Sequence, residues 1–227
     1  MNIVSQTVPF DPSKLNHLQI WVMADKITQP IGSQVNILKD YSIFGNDMRV
    51  TTTGPTKVPN VKVVRGCTRP CLDMSVGTMF THTSIRSLPR VRPNTVCMAF
   101  IPTSVSSLNF LSTVAGGFQV NFTSNSQISL IQQSVSLLVT INMSTILLAN
   151  KMYVLTLTLS GGGTFSVYLN GVFQGSGTSN TALTAGTFSL GSNDWGYLFE
   201  LMFFDDILPR GETEKIEQYL NRKYGAF

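Results

Sequence analysis

Residues 196–225, GYLFELMFFDDILPRGETEKIEQYLNRKYG, limit the fold of this chain more than any other segment. They open with an apolar run of strand length that is interrupted only by Glu200. A turn follows, and then a pattern that predicts a helix over 212–224. Ile216, Tyr219, Leu220 and Tyr224 recur at i, i+3, i+4 and i+8, which lays one apolar stripe along that helix. Glu212 and Glu214 stand at its start and Arg222 and Lys223 at its end, matching the helix dipole. Gly225 is placed to stop it. No other part of the chain carries a comparable helical pattern, so the expectation is a β body closed by a single helix.

The body reads as many short strands. Residues 18–23, 35–39 and 61–64 come first, then 95–101, 108–114, 118–123, 127–131 and 135–141. Residues 152–160 alternate strictly, with Tyr153, Leu155, Leu157 and Leu159 on one face and Val154, Thr156 and Thr158 on the other. The run Gly161-Gly162-Gly163 turns the chain into 164–170, where Phe165, Val167 and Leu169 point inward. Asn170-Gly171 then predicts a type I′ hairpin, whose two central residues need positive φ. A period of two on one buried face fits antiparallel sheets. Residues 65–92, rich in Pro, Arg and Thr, are expected to be irregular. No linker divides the chain, so the expected organisation is an N-terminal arm over 1–12 and one domain over 13–227.

Charged residues make up only 12% of the 227 residues, while hydrophobic ones make up 43%. Such a surface is left to Ser, Thr, Asn and Gln, which suits packing against neighbours because little charge must be desolvated. The net charge is +4, and the arginines gather in the middle at Arg65, Arg69, Arg86, Arg90 and Arg92. These five form a candidate interface for an acidic or protein partner. No Lys/Arg run with interleaved aromatics is present, so nucleic acid is not an expected partner. The first ten residues lack a basic start and a long apolar core, and no apolar run has bilayer-spanning length. Folding in a cytoplasm, with no membrane partner, is expected on that basis. Asn121-Phe-Thr and Asn142-Met-Ser match the glycosylation pattern but mean little without secretion.

Three segments resemble the concanavalin A-like, laminin-G-like jelly rolls. The first is Ile20-Trp21-Val22 with Ala24-Asp25. The second is Val35-x-x-Leu38-x-Asp40-x-Ser42-x-x-Gly45-Asn46-Asp47, with Leu38 where that family usually has Trp and Ile43 in place of a Gly. The third links Tyr168-Leu169-Asn170-Gly171, Leu190-Gly191-Ser192, Gly196-Tyr197-Leu198-x-Glu200, Leu208, and Ile216-Glu217-x-Tyr219-Leu220-x-x-Lys223-Tyr224-Gly225. Pro209 replaces the usual Ser or Asp before the helix, a substitution a helix start tolerates. The resemblance implies an all-β antiparallel β-sandwich of the jelly-roll type with one short C-terminal helix. It implies little about function, because this fold carries lectins, glycosidases, adhesion modules and structural proteins.

The chemistry of the sequence is sparse. A glycosidase of this class needs paired carboxylates on one concave strand, and no such strand is written here. Glu200 is the one carboxylate inside a strand, with Leu198, Met202 and Phe204 as expected same-face neighbours. The resemblance implies a scaffold role for it. His17 and His82 are far apart and lack a nucleophile motif. Cys67, Cys71, Cys97 and His82 can be drawn as a zinc site, but the spacing departs from CxxC knuckles and Cys97 sits in an apolar strand. Inert thiols are expected, with no metal and no cofactor. Asn193, Asp194, Trp195 and Tyr197 form a candidate sugar site, since sugars are held by aromatic stacking and polar hydrogen bonds. The functional expectation is a non-enzymatic virion structural protein: a capsid decoration, minor capsid or fibre component. It would be a homo-oligomer docking onto other virion proteins. The alternative is a lectin-like module that binds a cell-surface or cell-wall polysaccharide.

Overall fold

The structure is a computed structural model that describes residues 10–50, 60–64, 67–74, 80–82, 94–105, 108–114, 118–132, 136–161, 163–179, 187–190 and 196–226. In chain order the strands are β1 (Leu18–Met23), β2 (Ile37–Leu38), β3 (Met48–Val50), β4 (Asn60–Lys62), β5 (Cys71–Asp73), β6 (Phe80–His82), β7 (Asn94–Pro102) and β8 (Leu108–Val114). They continue as β9 (Phe118–Ser124), β10 (Gln127–Gln132), β11 (Ser136–Asn142), β12 (Tyr153–Leu159), β13 (Thr164–Leu169), β14 (Val172–Thr178), β15 (Thr187–Leu190) and β16 (Gly196–Phe204). Helix α1 (Arg210–Tyr224) follows.

The strands form two antiparallel eight-stranded sheets, as expected. The first runs β14-β13-β12-β7-β16-β5-β4, and β1 lies beside β5 along the same edge of β16. The second runs β11-β10-β9-β8-β15-β6-β3-β2. Between them lies a core in which Phe100, Tyr153, Leu155, Phe165 and Leu201 from the first sheet meet Phe80, Phe122, Ile128 and Leu130 from the second. At one margin β14 packs close to β11. A Cβ on Gly175 would stand 2.7 Å from an Ile141 methyl, and one on Gly177 would stand 2.4 Å from a Val139 methyl. Glycine suits both positions because the Ile141 and Val139 methyls already occupy the space a side chain would need.

The central strands of the first sheet, β12, β7 and β16, are buried on both faces. A second apolar cluster covers their outer side, joining Leu18, Trp21, Cys97, Val154, Phe199 and Met202 to Leu208, Ile216 and Leu220. This is why β7 and β16 read as near-continuous apolar runs, whereas β13 alternates. Asn170 and Gly171 take φ of 52° and 78°, the turn expected from their sequence. Helix α1 begins two residues before the expected start. Pro209 supplies no side-chain cap, but its carbonyl accepts from the Glu212 and Thr213 amides, and Gly225 closes the helix at φ 71°.

Three expectations need correction. Residues 65–92 are not wholly irregular, since they place β5 in one sheet and β6 in the other, with Cys71, Leu72 and Phe80 buried. Segments this short carry too little pattern to show their pairing. The buried stripe of α1 is Thr213, Ile216, Glu217 and Leu220, while Tyr219 and Tyr224 flank it at intermediate burial. Glu217 is tolerated inside because Arg210 grips both its oxygens at 2.8 Å, lies 4.2 Å over the Tyr168 ring and donates to the Gly171 carbonyl. The third correction concerns Leu198. Leu198 pairs with Phe100 and Glu200 with Ala99, so Phe199 is an extra residue in a β-bulge. The bulge turns Leu198 to the inter-sheet core and leaves Glu200 on the helix side with Met202 and Phe204.

The turn over residues 40–47 seals the open edge of β1. Asp40 accepts from the Trp21 amide at 2.7 Å, the Ser42 amide at 2.8 Å, the Ser42 hydroxyl at 2.6 Å and the Asn46 amide at 2.6 Å. The Gln19 carbonyl accepts from the Ser42 hydroxyl and the Asn46 side chain. One carboxylate thus replaces the neighbouring strand that β1 lacks. Asp40→Ala is expected to lower the unfolding free energy by about 2–3 kcal/mol in urea titrations, and Ser42→Ala by less than half of that.

Candidate functional site

An open groove of about 510 Å³ runs between the end of β1 and α1. Trp21 and Met23 come from β1, Asp25 and Lys26 from the 3-10 turn after it, and Tyr219, Arg222 and Lys223 from the helix. Phe10 and Arg69 complete the walls, with the Phe10 and Tyr219 rings 6.0 Å apart. A smaller hollow of about 250 Å³ shares Met23 and Lys26 and extends over Ile37, Lys39 and Tyr41.

Under the groove lies Glu200, with no accessible surface. One of its oxygens accepts from the Trp21 indole N–H at 2.6 Å. The other accepts from Lys223 Nζ at 2.6 Å and the Tyr224 hydroxyl at 2.7 Å. Lys223 also reaches Asp25 at 3.2 Å and the Tyr219 hydroxyl at 3.2 Å. Arg69 donates to Asp25 at 3.0 Å and to the Lys223 carbonyl at 3.2 Å. Two carboxylates therefore share one ammonium group. A glycosidase needs substrate between such a pair, and a general acid must reach it. Here Lys223 stands between them and Glu200 is sealed. The groove can instead offer aromatic surface and fixed charge to a bound molecule.

Of the sequence-derived site residues, Tyr197 and Arg69 lie among the described residues. Tyr197 is half-buried on β16, 6.0 Å from Lys62 Nζ, and that lysine is paired with buried Asp73. Asn193, Asp194 and Trp195 lie outside the described residues, as do Arg65, Arg86, Arg90 and Arg92. Of the arginine set, Arg69 alone is described, and it serves the groove wall. Asp25, Tyr219 and Lys223 were not singled out as a site from sequence. The i, i+4 spacing of Tyr219 and Lys223 beside the Ala24-Asp25 segment was the available signal.

Burial disfavours the thiolate form of all three cysteines. Burial pushes Cys97 up to about 12, beneath the helix, and Cys71 up to about 12 as well; it also raises Cys67. His82 belongs to β6 in the other sheet, and no metal-holding group occurs among the described residues. His17 lies 3.2 Å from Asp205 at the surface.

Removing one partner of a buried ion pair strands the other. Glu200→Leu should cost about 3–5 kcal/mol by urea unfolding, and Glu200→Leu with Lys223→Met should recover a substantial part. Burial first, and then the Glu200 charge, raise the Tyr219 and Tyr224 phenols above their ordinary range. Their neutral forms stabilise the fold fully below the unfolded value of about 10, and that contribution is lost as pH climbs past it. A phenolate absorbance titration should show two of the six tyrosines ionising only as the chain unfolds. Ionisation of all six while the circular dichroism stays native would contradict the site as described.

The Laminin_G_3 profile, described as the concanavalin A-like lectin/glucanases superfamily, matches residues 77–212. It takes in the third resembling segment from Tyr168 to Leu208 and extends back over residues 77–150, which carry none of the three segments, because a profile registers strand pattern over many positions. No curated protein sequence matches the chain. Among solved structures, the botulinum neurotoxin serotype D binding domain superposes with a TM-score of 0.62 at 16% identity, covering 89% of this chain and 51% of that one. The binding domain of botulinum neurotoxin DC in complex with rat synaptotagmin II gives 0.61 at 13%, covering 90% and 52%. The same binding domain in complex with SialylT gives 0.59 at 12%, covering 90% and 52%. The chain spans about half the length of these structures, and at such identities the likeness is one of fold. With its two antiparallel sheets and a profile match over more than half its length, the chain belongs to the Laminin_G_3 family of the concanavalin A-like superfamily.

Proposed function

We propose that this chain is a non-catalytic, lectin-like binding module that takes an acidic sugar in the groove between β1 and α1. The observation that carries this reading is the groove itself. Phe10 and Tyr219 give it ring surface, and Lys26, Arg69, Arg222 and Lys223 outnumber the acid on its wall, Asp25, even with Glu200 counted beneath. Rings stack on sugar faces, and guanidinium groups pair with carboxylates. The fold relatives add support: they are binding domains, one described in complex with rat synaptotagmin II and one in complex with SialylT. Asn193, Asp194, Trp195 and Tyr197 remain a second proposed contact set. The expected virion role, with capsid proteins as partners, has low surface charge as its support, and none of the structures compared above is a particle component. No helix among the described residues is long and apolar enough to cross a membrane.

The test is binding to an immobilised panel of neutral and acidic glycans. Wild type should retain acidic glycans, and Arg222→Ala with Lys26→Ala should weaken that binding at least tenfold without altering thermal unfolding. Binding lost only in Trp195→Ala would move the site to the 193–197 loop. No retention of any glycan would overturn the lectin reading.

A further inference from the structure

Between Arg92 and Asp194 the sequence carries one charged side chain, Lys151, although the whole chain holds 16 basic and 12 acidic residues. That stretch supplies β7 to β15. On the first sheet the outer side chains of β7 and β12 find cover beneath α1. The second sheet has no such cover among the described residues.

The strands of that sheet sort their side chains cleanly. Val120, Phe122, Ile128, Leu130, Val139 and Ile141 enter the core. The alternate positions lie on the outer face, where Thr123, Thr140 and Asn142 are exposed, Asn121 and Gln127 are half-buried, and the small Ser129 is buried between its neighbours. Register places Asn121, Ser129 and Thr140 side by side across β9, β10 and β11. The Ser129 and Thr140 hydroxyls are 3.1 Å apart, and Gln127 donates to Asn142 at 2.8 Å. Asn121 Oδ1 is buried and has no hydrogen-bond partner within the chain, a condition native proteins rarely leave unanswered.

We propose that two copies of this chain pair through the outer face of β9, β10 and β11. In a two-fold interface each patch meets itself, so any single-sign charge would face its own copy. Amides and hydroxyls both donate and accept, which makes a neutral face complementary to itself. A chain of net charge +4 repels its copies generally, and this face is where they can meet without that repulsion. The six outer positions include no aromatic ring, so the stacking surface a sugar needs is missing from them. Without an aromatic anchor the dimer is expected to be weak, with a micromolar dissociation constant.

Sedimentation equilibrium tests this. Wild type should show a reversible monomer–dimer equilibrium that is insensitive to salt. Thr140→Lys and Thr140→Glu, at an exposed position, should each weaken it at least tenfold while leaving thermal unfolding unchanged. Lys215→Glu, on the exposed side of α1, should dimerise as wild type does. A chain that stays monomeric at hundreds of micromolar would overturn the proposal. So would a dimer indifferent to both Thr140 variants, or a monomer that instead co-sediments with neutral dextran.

Discussion

A carboxylate with no accessible surface survives in a protein only where its charge and lone pairs are answered. Glu200 has three answers from two directions: an indole N–H from β1, and an ammonium and a phenol from the last turn of α1. The geometry depends on the bulge at Phe199, which leaves two successive side chains on the helix side of β16. Without that extra residue, the alternation of the strand would send Glu200 into the inter-sheet core. The first strand, the last strand and the helix are thus tied at one buried point, although Trp21 and Glu200 are 179 positions apart in the chain.

Two further polar clasps follow the same logic. Arg210 and Glu217 hold the start of α1 to the Asn170-Gly171 hairpin. Asp40 closes the edge of β1. Together they explain how a chain with few charges uses them. The described acids that are most buried, Asp25, Asp73, Glu200 and Glu217, each have a cationic partner. These paired charges act as internal fasteners, and the nearly uncharged middle of the chain builds sheet. The groove is a by-product of the same fastening, since its floor is the Lys223 cluster.

Much of this was legible in the sequence. The strict alternation over 152–160 assigned both faces of β12, with Tyr153, Leu155, Leu157 and Leu159 in the core and Val154 under the helix. Asn170-Gly171 announced its hairpin because few residues adopt two successive positive φ values. The Asp40-x-Ser42 segment carried part of the family likeness, but nothing in it showed that it would cap β1, which is a contact over 19 positions. The bulge at Phe199 was hidden for a similar reason. An apolar run buried on both faces shows no period, so one extra residue leaves no trace in the pattern. β5 and β6 were lost within 65–92 because three residues cannot display an alternation. The groove was missed because its residues come from four separate segments. The neutral outer face could have been found by noting where charge stops, since the overall 12% conceals how unevenly it is spread.

The account rests on α1 being fastened to the sandwich through Glu200 rather than lying loosely on it. Native-state hydrogen exchange of the α1 amides reads this directly. If the clasp couples helix to sheets, the amides from Ile216 to Leu220 will exchange with the same free energy and denaturant dependence as those in the centre of β7. Exchange of those helix amides several kcal/mol below the β7 value, with little dependence on denaturant, would show that the helix opens alone and would contradict the central role given to Glu200.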